Sequence, residues 1–439
     1  MEPKKLLLLH YTDLAGILRS VEVPFDSLEN GSRFPASLDG SSACGLASVE
    51  RSDLLLEPDR ETLKPVPWLQ GVYRTLCRIY APPGVRFEKD PRLVAERTNE
   101  HLESHGLEAR VGVELEFNVF KNVIFSNSNP LFEQGYKILP LSPRELPKAS
   151  YQLSYPNDPL LEYRLELARV LELFDIKVAV SHHEVAVSQI EISMGSAGVV
   201  KASDNVVTSK WIARSIAERV GLKAVFMPKP IYGDNGNGMH IHVSLWDRSV
   251  SKNLFSDEEK LSDLALHFIG GVLAHARSLA ALLAPTTNSY KRLVAGYEAP
   301  VYIAWGYYNR TAMVRIPHAS NHNKTRIEIR MADPSANPYL AVSAVIMAGL
   351  DGIRKKLDPG EPVSENLYKL KKSEAKAKGI EVLPRSLDEA LDELESDNNY
   401  LKPVFSQSLL EAYIEVKRNE ALAVRSRPHP YEYQLYLGV

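Results

Sequence analysis

The stretch Val113-Glu114-Leu115-Glu116-Phe117 alternates apolar and acidic residues with a period of two. In a strand, residues i and i+2 share a face, so both carboxylates fall on one side and the apolar side chains on the other. A lone Glu-x-Glu reads as an ordinary solvated strand edge. Here Val111, Val113, Leu115 and Phe117 are all apolar, which embeds the strand in a core. Three more segments carry the same alternation: His183-Glu184-Val185 through Gln189-Ile190-Glu191-Ile192, Met239-His240-Ile241-His242-Val243-Ser244, and Arg326-Ile327-Glu328-Ile329-Arg330. Converging, the four polar faces would line an oxygen-rich cavity. Carboxylates do not crowd together without cations, so the cavity is expected to hold divalent metal.

The chain has 439 residues, 44% hydrophobic and 24% charged, which suits a folded protein of two or three domains. A net charge of −3 and the absence of any Lys/Arg block speak against nucleic-acid binding. Two distant cysteines, Cys44 and Cys77, exclude a disulfide framework and fit a reducing cytoplasm. No run approaches the ~18 consecutive apolar residues of a membrane span. The start, Met1 to His10, resembles a signal peptide faintly, but its apolar run is too short and Asp13 follows soon after.

Along the chain, Leu6 to Tyr11 and Leu18 to Val23 read as strands around a turn at Asp13 and Gly16. Pro65 to Phe87 reads as short strands broken by Pro82-Pro83-Gly84, and residues 91–105 as a helix opened by Pro91. Helices are expected over 159–174, 204–220, 257–284, 336–357 and 407–423. Residues 364–402, rich in Lys and Glu, are expected to be mostly surface. A domain division is placed between residues 1–90 and 91–439.

The remaining polar signals are individually modest. Glu184 and Glu191 flank an expected hairpin, and His182-His183-Glu184 alone is an ordinary polar turn. Gly233-Asp-Asn-Gly-Asn-Gly allows close backbone approach to a ligand. Arg292, Arg310, Arg315, Arg326 and Arg330 cluster in one stretch near the expected metal face, and guanidinium forks match carboxylates and phosphates. Acidic metal ligands with arginine clamps are the parts of a phosphoryl-transfer site. No P-loop, Gly-x-Ser-x-Gly elbow or Cys-His pair is present.

In combination these segments resemble glutamine synthetase of the prokaryotic type I. The resemblance spans nearly the whole chain. It is carried, in order, by Leu38-Asp-Gly-Ser-Ser, Val113-Glu-Leu-Glu-Phe, Ser181-His-His-Glu-Val-Ala, Phe226-Met-Pro-Lys-Pro, Asn235-Gly-Asn-Gly-Met-His-Ile-His, Asn288-Ser-Tyr-Lys-Arg-Leu-Val-Ala-Gly-Tyr-Glu-Ala-Pro and Arg326-Ile-Glu-Ile-Arg with Asp333-Pro-Ser-Ala-Asn-Pro-Tyr. It implies an α+β fold: a small N-terminal β-grasp-like domain and a large catalytic α/β domain whose antiparallel sheet forms a metal-lined cavity. It also implies a homo-oligomer, a dodecamer of two hexameric rings, with active sites between neighbours. The implied reaction is ATP-dependent amidation of L-glutamate by ammonia. The alternatives are a γ-glutamyl-amine ligase of the same fold or a weakly active regulatory paralogue.

By the resemblance, one Mg²⁺ or Mn²⁺ would be held by Glu116, Glu184 and Glu191 and a second by Glu114, His240 and Glu328. Oxygen donors with one imidazole and no thiolate suit those ions. Asn235, Gly236, Arg292 and Arg330 would bind glutamate; Arg310 and Arg315 would face the transferred phosphate; His242, Ser244 and Arg326 would contact ATP. Asp39 from a neighbour, with Tyr151 and Glu184, would form the ammonium pocket that Glu298 closes. The chain departs from the family pattern at Ala295, where proline is usual, at Val187-Ser188, at Asn237, and at Ser193, Met194, Gly195 and Ser196. The last four replace the acidic residue and aromatics expected where the nucleotide stacks. Tyr368, where some members are adenylylated, follows Ser364-Glu365 rather than the usual Asp-Lys/Arg pair and is expected to be unmodified.

Overall fold

The computed structural model describes residues 4–126, 135–142, 146–257 and 260–439. The first sheet, seven-stranded among the described residues, runs Leu18–Pro24, Leu6–Thr12, Val72–Ala81, Asp53–Pro58, Ala36–Asp39, with two short pairings at Lys64–Pro65 and Val85–Arg86. Leu6–Thr12 pairs in parallel with Val72–Ala81, and the other neighbours are antiparallel. The expected opening strands are present. The expected short strands of 65–87 are mainly one long strand, Val72–Ala81, that ends at the diproline.

The second sheet is nine-stranded among the described residues and runs Val178–His183, Gln189–Ala197, Leu107–Phe120, Met239–Asp247, Ile327–Ile329, Val314–Ile316, Trp305–Tyr307 along its main path. All four alternating segments are therefore strands in a single sheet. Val111, Val113, Leu115, Phe117, Ile190, Ile192, Ile241, Val243, Ile327 and Ile329 are buried on its apolar face. Helices Pro91–Ser104 and Val199–Arg219 pack on the central strand Leu107–Phe120, and both touch the largely buried helix Pro338–Lys355. Each fully buried aliphatic side chain contributes about 1.5–3 kcal/mol to this layer.

Asp90 accepts from Arg92 N and Asn337 accepts from Tyr339 N, each with a proline at the first helical position, so both helices start as expected. Two expectations need correction. Val199–Arg219 starts five residues before 204, directly after Gly198 ends the preceding strand. The region 257–284 holds two helices, Asp263–Ala274 and Ala276–Leu283, and residues 258–259 lie outside the described residues. The break falls at His275, whose ring is held between Asp397 at 2.7 Å and Asp351 at 2.9 Å. Within 364–402 the helix Leu387–Ser396 is amphipathic: it buries Leu387, Ala390, Leu391 and Leu394 against Ala276–Leu283.

The two sheets are joined by a buried ionic network. Arg92 donates to Asp59 at 2.7 Å and to Asp204 at 2.8 and 3.0 Å, and Tyr339 donates to Asp204 at 2.7 Å. Among the described residues no single helix is long and apolar enough to cross a membrane; one sharply bent pair, Asp263–Ala274 with Ala276–Leu283, passes by length and composition.

Candidate active site

Strand register builds the polar face. Glu191 lies directly opposite Glu116, Ser193 opposite Glu114, His240 opposite Glu114, and both His242 and Arg315 opposite Glu328. Directly opposed residues have Cβ atoms only about 4.5–5.5 Å apart, so four strands suffice to crowd five carboxylates with the hairpin residue Glu184. Ser188, with φ 54°, makes the tight return between Glu184 and Glu191. The sequence-expected metal ligands are thus brought together.

Two compact donor groups stand out, Glu114–His242–Glu328 and His182–Glu184–Glu191. Each differs by one member from the expected triads. His182 lies 3.8 Å from Glu184 and 3.7 Å from Glu191. Glu116 sits between the groups: its Oε2 accepts from Gly238 N at 2.6 Å, and its Oε1 is 3.7 Å from His240 Nε2. The two histidines of the Met239–Asp247 strand differ in chemistry. His242 Nδ1 accepts the Nε–H of Arg326 at 3.3 Å. His242 Nε2 lies 2.9 Å from Glu114 Oε1. His240 turns Nδ1 toward both Glu114 at 3.2 Å and Glu328 at 3.6 Å, as a ligand would.

The electrostatics fit a cation site. Burial, then the Glu116 carboxylate, pushes Glu184 up to about 8. Burial and the surrounding carboxylates of Glu114, Glu116 and Glu184 hold Glu191 well above its ordinary range. Burial also acts to raise Glu328, but Arg330 and the two imidazoles win and hold it at about 2. Glu114 is likewise held low by His242 and His240 against burial. One group is paired with fixed protein cations; the other lacks a countercharge and matches a hard divalent ion.

Cavities open on both sides of this row. A narrow crevice brings Glu116, Glu184, Glu191, Asn235, Gly236, Arg292, Glu298, Arg310 and Arg330 together. A cleft of about 860 Å³ holds Glu114, His242, Ser244 and Arg326, with Ser193, Met194, Gly195 and Ser196 on its wall. The expected glutamate and ATP residues therefore separate into adjoining compartments.

The crevice needs its glycines. A Cβ on Gly236 would lie 2.5 Å from Pro228 O, and one on Gly238 would lie 2.5 Å from His240 Nε2. Asp234 organises the surrounding loops by accepting from Lys148 N, Val187 N and Asn235 N. Gln189 donates to Gly236 O and Asn237 Oδ1, both at 2.9 Å. Arg292 is fully buried behind the crevice, its donors on the carbonyls of Met331 at 2.9 Å and Arg330 at 3.1 Å.

Glu298 is exposed, in the left-handed region with φ 57°. The loop before it, containing Ala295, is clamped: the Tyr297 ring centroid lies 3.6 Å from Lys229 Nζ and 4.0 Å from Lys148 Nζ. Tyr151 packs edge-on against His182. The Asp39 side chain is exposed and, among the described residues, is bonded to Ser41 and Ser42; it does not line its own chain's crevice. Sequence reasoning missed His182, Gln189 and Asp234, and also Arg110 and Trp246 in the cleft. The last two continue the same i, i+2 periods, 110-112-114-116 and 240-242-244-246, and that signal was available.

A family model described as "Glutamine synthetase, catalytic domain" matches residues 88–436, and one described as "Glutamine synthetase, beta-Grasp domain" matches residues 4–82. The chain is 44% identical to a glutamine synthetase of Sulfolobus acidocaldarius over 98% of this chain and 94% of that protein. It is 39% identical to one of Methanosarcina mazei over 99% and 95%, and 38% identical to one of Helicobacter pylori over 96% and 92%. Among solved structures, a GmaS–ADP complex superposes with a TM-score of 0.84 at 31% identity, covering 99% of this chain and 97% of that one. Ligand-free GmaS gives 0.85 at 30% identity with the same coverage.

Proposed function

Since the chain belongs to the glutamine synthetase family, we propose that it joins ammonia to the γ-carboxylate of L-glutamate at the expense of ATP. That it is an ATP-dependent carbon–nitrogen ligase follows from its relatives. The finer reading rests on one observation: the row of carboxylates and imidazoles from Glu184 to Glu328 separates a roomy cleft from a narrow arginine-lined crevice. A nucleotide and a small amino acid entering from the two sides would meet at that row.

In this reading Arg330, Arg292, Asn235 and Gly236 hold glutamate, and Arg292 also fixes the backbone that carries Arg330. The γ-carboxylate oxygen attacks the γ-phosphorus and ADP leaves, giving γ-glutamyl phosphate. Arg310 and Arg315 neutralise the transferred phosphoryl group. Glu116, Glu184, Glu191, Glu114, His240 and Glu328 would hold Mg²⁺ or Mn²⁺, which supplies charge neutralisation on the phosphates. Asp39 from a neighbouring copy takes a proton from ammonium, and its local-only bonding supports a role toward another chain. The amine attacks the acyl carbon, phosphate leaves, and Glu298 takes the remaining proton. A homo-oligomer, with twelve subunits by family resemblance, would complete the site. The division at residues 90 and 91 coincides with the Asp90 cap of the first long helix.

A second reading has specific support. The chain superposes closely on GmaS, a gamma-glutamylmethylamide synthetase, and Ala295 stands where proline is usual. Measuring ADP and amide formed from glutamate with ammonia, methylamine or a diamine tests both readings. Ammonia should be preferred; a strong preference for an alkylamine would move the assignment, and no amide with any amine would remove it.

A further inference from the structure

The helix Val199–Arg219 carries two cations one turn apart, Lys210 and Arg214. Both lie by the Phe226 ring: the Arg214 guanidinium carbon is 4.9 Å from its centroid and Lys210 Nζ is 5.7 Å from it. Like charges at this spacing repel on one helix face. Among the described residues Arg214 has no hydrogen bond or ion pair, and the buried Lys210 makes one bond, to Pro334 O at 2.7 Å. Burial, then Arg214, pulls the Lys210 ammonium down to about 7, with Asp333 only partly opposing. Both cations open on a cavity of about 540 Å³ that contains none of the expected substrate, nucleotide or metal residues. Glu420 on its wall is taken by Lys417 at 2.8 Å. Much of the remaining wall is apolar, formed by Ile17, Val225, Phe226, Met227 and Pro228. A guanidinium fork and an ammonium beside an apolar wall match a carboxylate with an apolar body. A bare inorganic anion would leave that wall uncovered.

We propose that this cavity is an effector pocket for a small organic carboxylate, its charged end held by Arg214 and Lys210 and its apolar body laid against Phe226 and the aliphatic wall. The loops that close the cavity run on into the arginine-lined crevice. Pro228 leads into Lys229, which grips Tyr297 of the covering loop. Lys229 N donates to Asn288 Oδ1 at 2.7 Å, and Asn288 Nδ2 donates back to Lys229 O at 3.2 Å. Asn288 in turn precedes the short helix Ser289–Arg292 that carries Arg292. Pro334 lies just past Arg330 and Met331, whose carbonyls hold Arg292. A ligand seated against Pro228, Asn288 and Pro334 therefore touches the backbone that positions both the covering loop and the crevice arginines. If it favours one arrangement of those loops, it changes glutamate affinity, and glutamate changes its affinity by the same factor.

Calorimetric titration of the full-length chain with 3-phenylpropionate tests this, with 3-phenylpropionamide as the uncharged control. The acid should bind saturably and the amide should not. Arg214 is exposed, so Arg214→Gln should fold with an unchanged melting temperature. That variant should bind the acid about tenfold more weakly, while its glutamate KM without the probe stays at the wild-type value. Saturating 3-phenylpropionate should shift the wild-type glutamate KM about fivefold or more and leave that of Arg214→Gln in place. Equal binding of acid and amide, or unchanged binding in Arg214→Gln, would overturn the pocket. Competition with glutamate that persists in Arg214→Gln would place the probe in the crevice and overturn it too. Arg214-dependent binding with an unmoved glutamate KM would overturn the effector role. Amide formation is scored separately: a chain that makes no amide yet binds 3-phenylpropionate through Arg214 would lose the ligase reading and keep the pocket.

Discussion

Arg330 and Glu328 form a buried ion pair, Nη1 to Oε1 at 2.7 Å, with Glu328 wholly inaccessible and Arg330 2% exposed. The same guanidinium reaches Glu298 O at 3.1 Å, so one side chain ties the metal face to the loop that covers the crevice. Glu328 has a second partner, Arg315 at 2.6 Å.

Removing and replacing Arg330 should therefore give different results. Arg330→Met leaves a buried carboxylate with one partner fewer and should cost about 3–5 kcal/mol in urea unfolding. Arg330→Lys keeps the charge, so most stability should survive. A single ammonium cannot reach both Glu328 and Glu298 O, and kcat/KM for glutamate should fall about 10- to 100-fold. If the lysine variant matched the wild type in both kcat and glutamate KM, Arg330 would have no part in holding the substrate.

Metal should reverse the pH dependence of stability. Burial and the Glu116 carboxylate push Glu184 up to about 8, and Glu191 is raised as well. A carboxyl with a raised folded pKa holds a proton that the unfolded chain gives up, so rising pH favours unfolding between the two pKa values. Metal-free protein should lose stability as pH rises from about 4.5, with the Glu184 contribution lost by about pH 8. Mn²⁺ or Mg²⁺ stabilises the ionised carboxylates and should remove that loss. Melting scans with EDTA or MnCl₂ at several pH values check this: the gap should widen with pH, and a constant gap would contradict a carboxylate site. Glu328→Gln should shrink the gap and abolish turnover.

The four strands that carry the proposed metal ligands were legible because side-chain direction in a strand is local: alternation at 113–117, 190–192, 239–244 and 326–330 is enough to place each of those ligands, the hairpin residue Glu184 apart, on one face. What register adds is non-local, such as Glu116 opposite Glu191. The helix break at His275 was hidden because its cause, Asp351 and Asp397, lies 76 and 122 residues away. The helix Leu387–Ser396 was readable in principle. Its buried Leu387, Ala390, Leu391 and Leu394 follow helical spacing, and charged composition masked the pattern. Arg110 and Trp246 were missed by ending the two-residue period at Glu114 and at Ser244.

The covering loop gives a separate test. Tyr297 is gripped by Lys148 and Lys229, and Lys148 Nζ also donates to Gly296 O at 3.1 Å. Replacing Tyr297 with Leu removes two cation–π contacts, about 0.5–1 kcal/mol each at partly exposed sites. The loop should open more often and admit water to the acyl phosphate. ADP formed per amide should rise above one while ATP turnover persists. A ratio unchanged in Tyr297→Leu would mean that the lysines do not control closure.

The amine remains the sharpest question, and Asp39 is the residue through which to ask it. Its carboxylate accepts from Ser41 N, Ser41 Oγ and Ser42 Oγ, which keep it ionised below the ordinary carboxylate range. It is exposed and away from its own chain's crevice, so its role in ammonium deprotonation requires a neighbouring copy. Asp39→Ala should slow amide formation with ammonia far more than it weakens ATP binding, and Glu298→Ala should do the same from the other side. If the two residues serve one site from different subunits, co-expressing the two variants should restore part of the activity that each lacks alone. Assemblies formed from either variant singly should stay inactive. Failure of the mixture to recover any activity would place Asp39 outside the site. A diamine strongly preferred over ammonia, with Asp39→Ala nearly silent, would assign the chain to γ-glutamyl-amine synthesis.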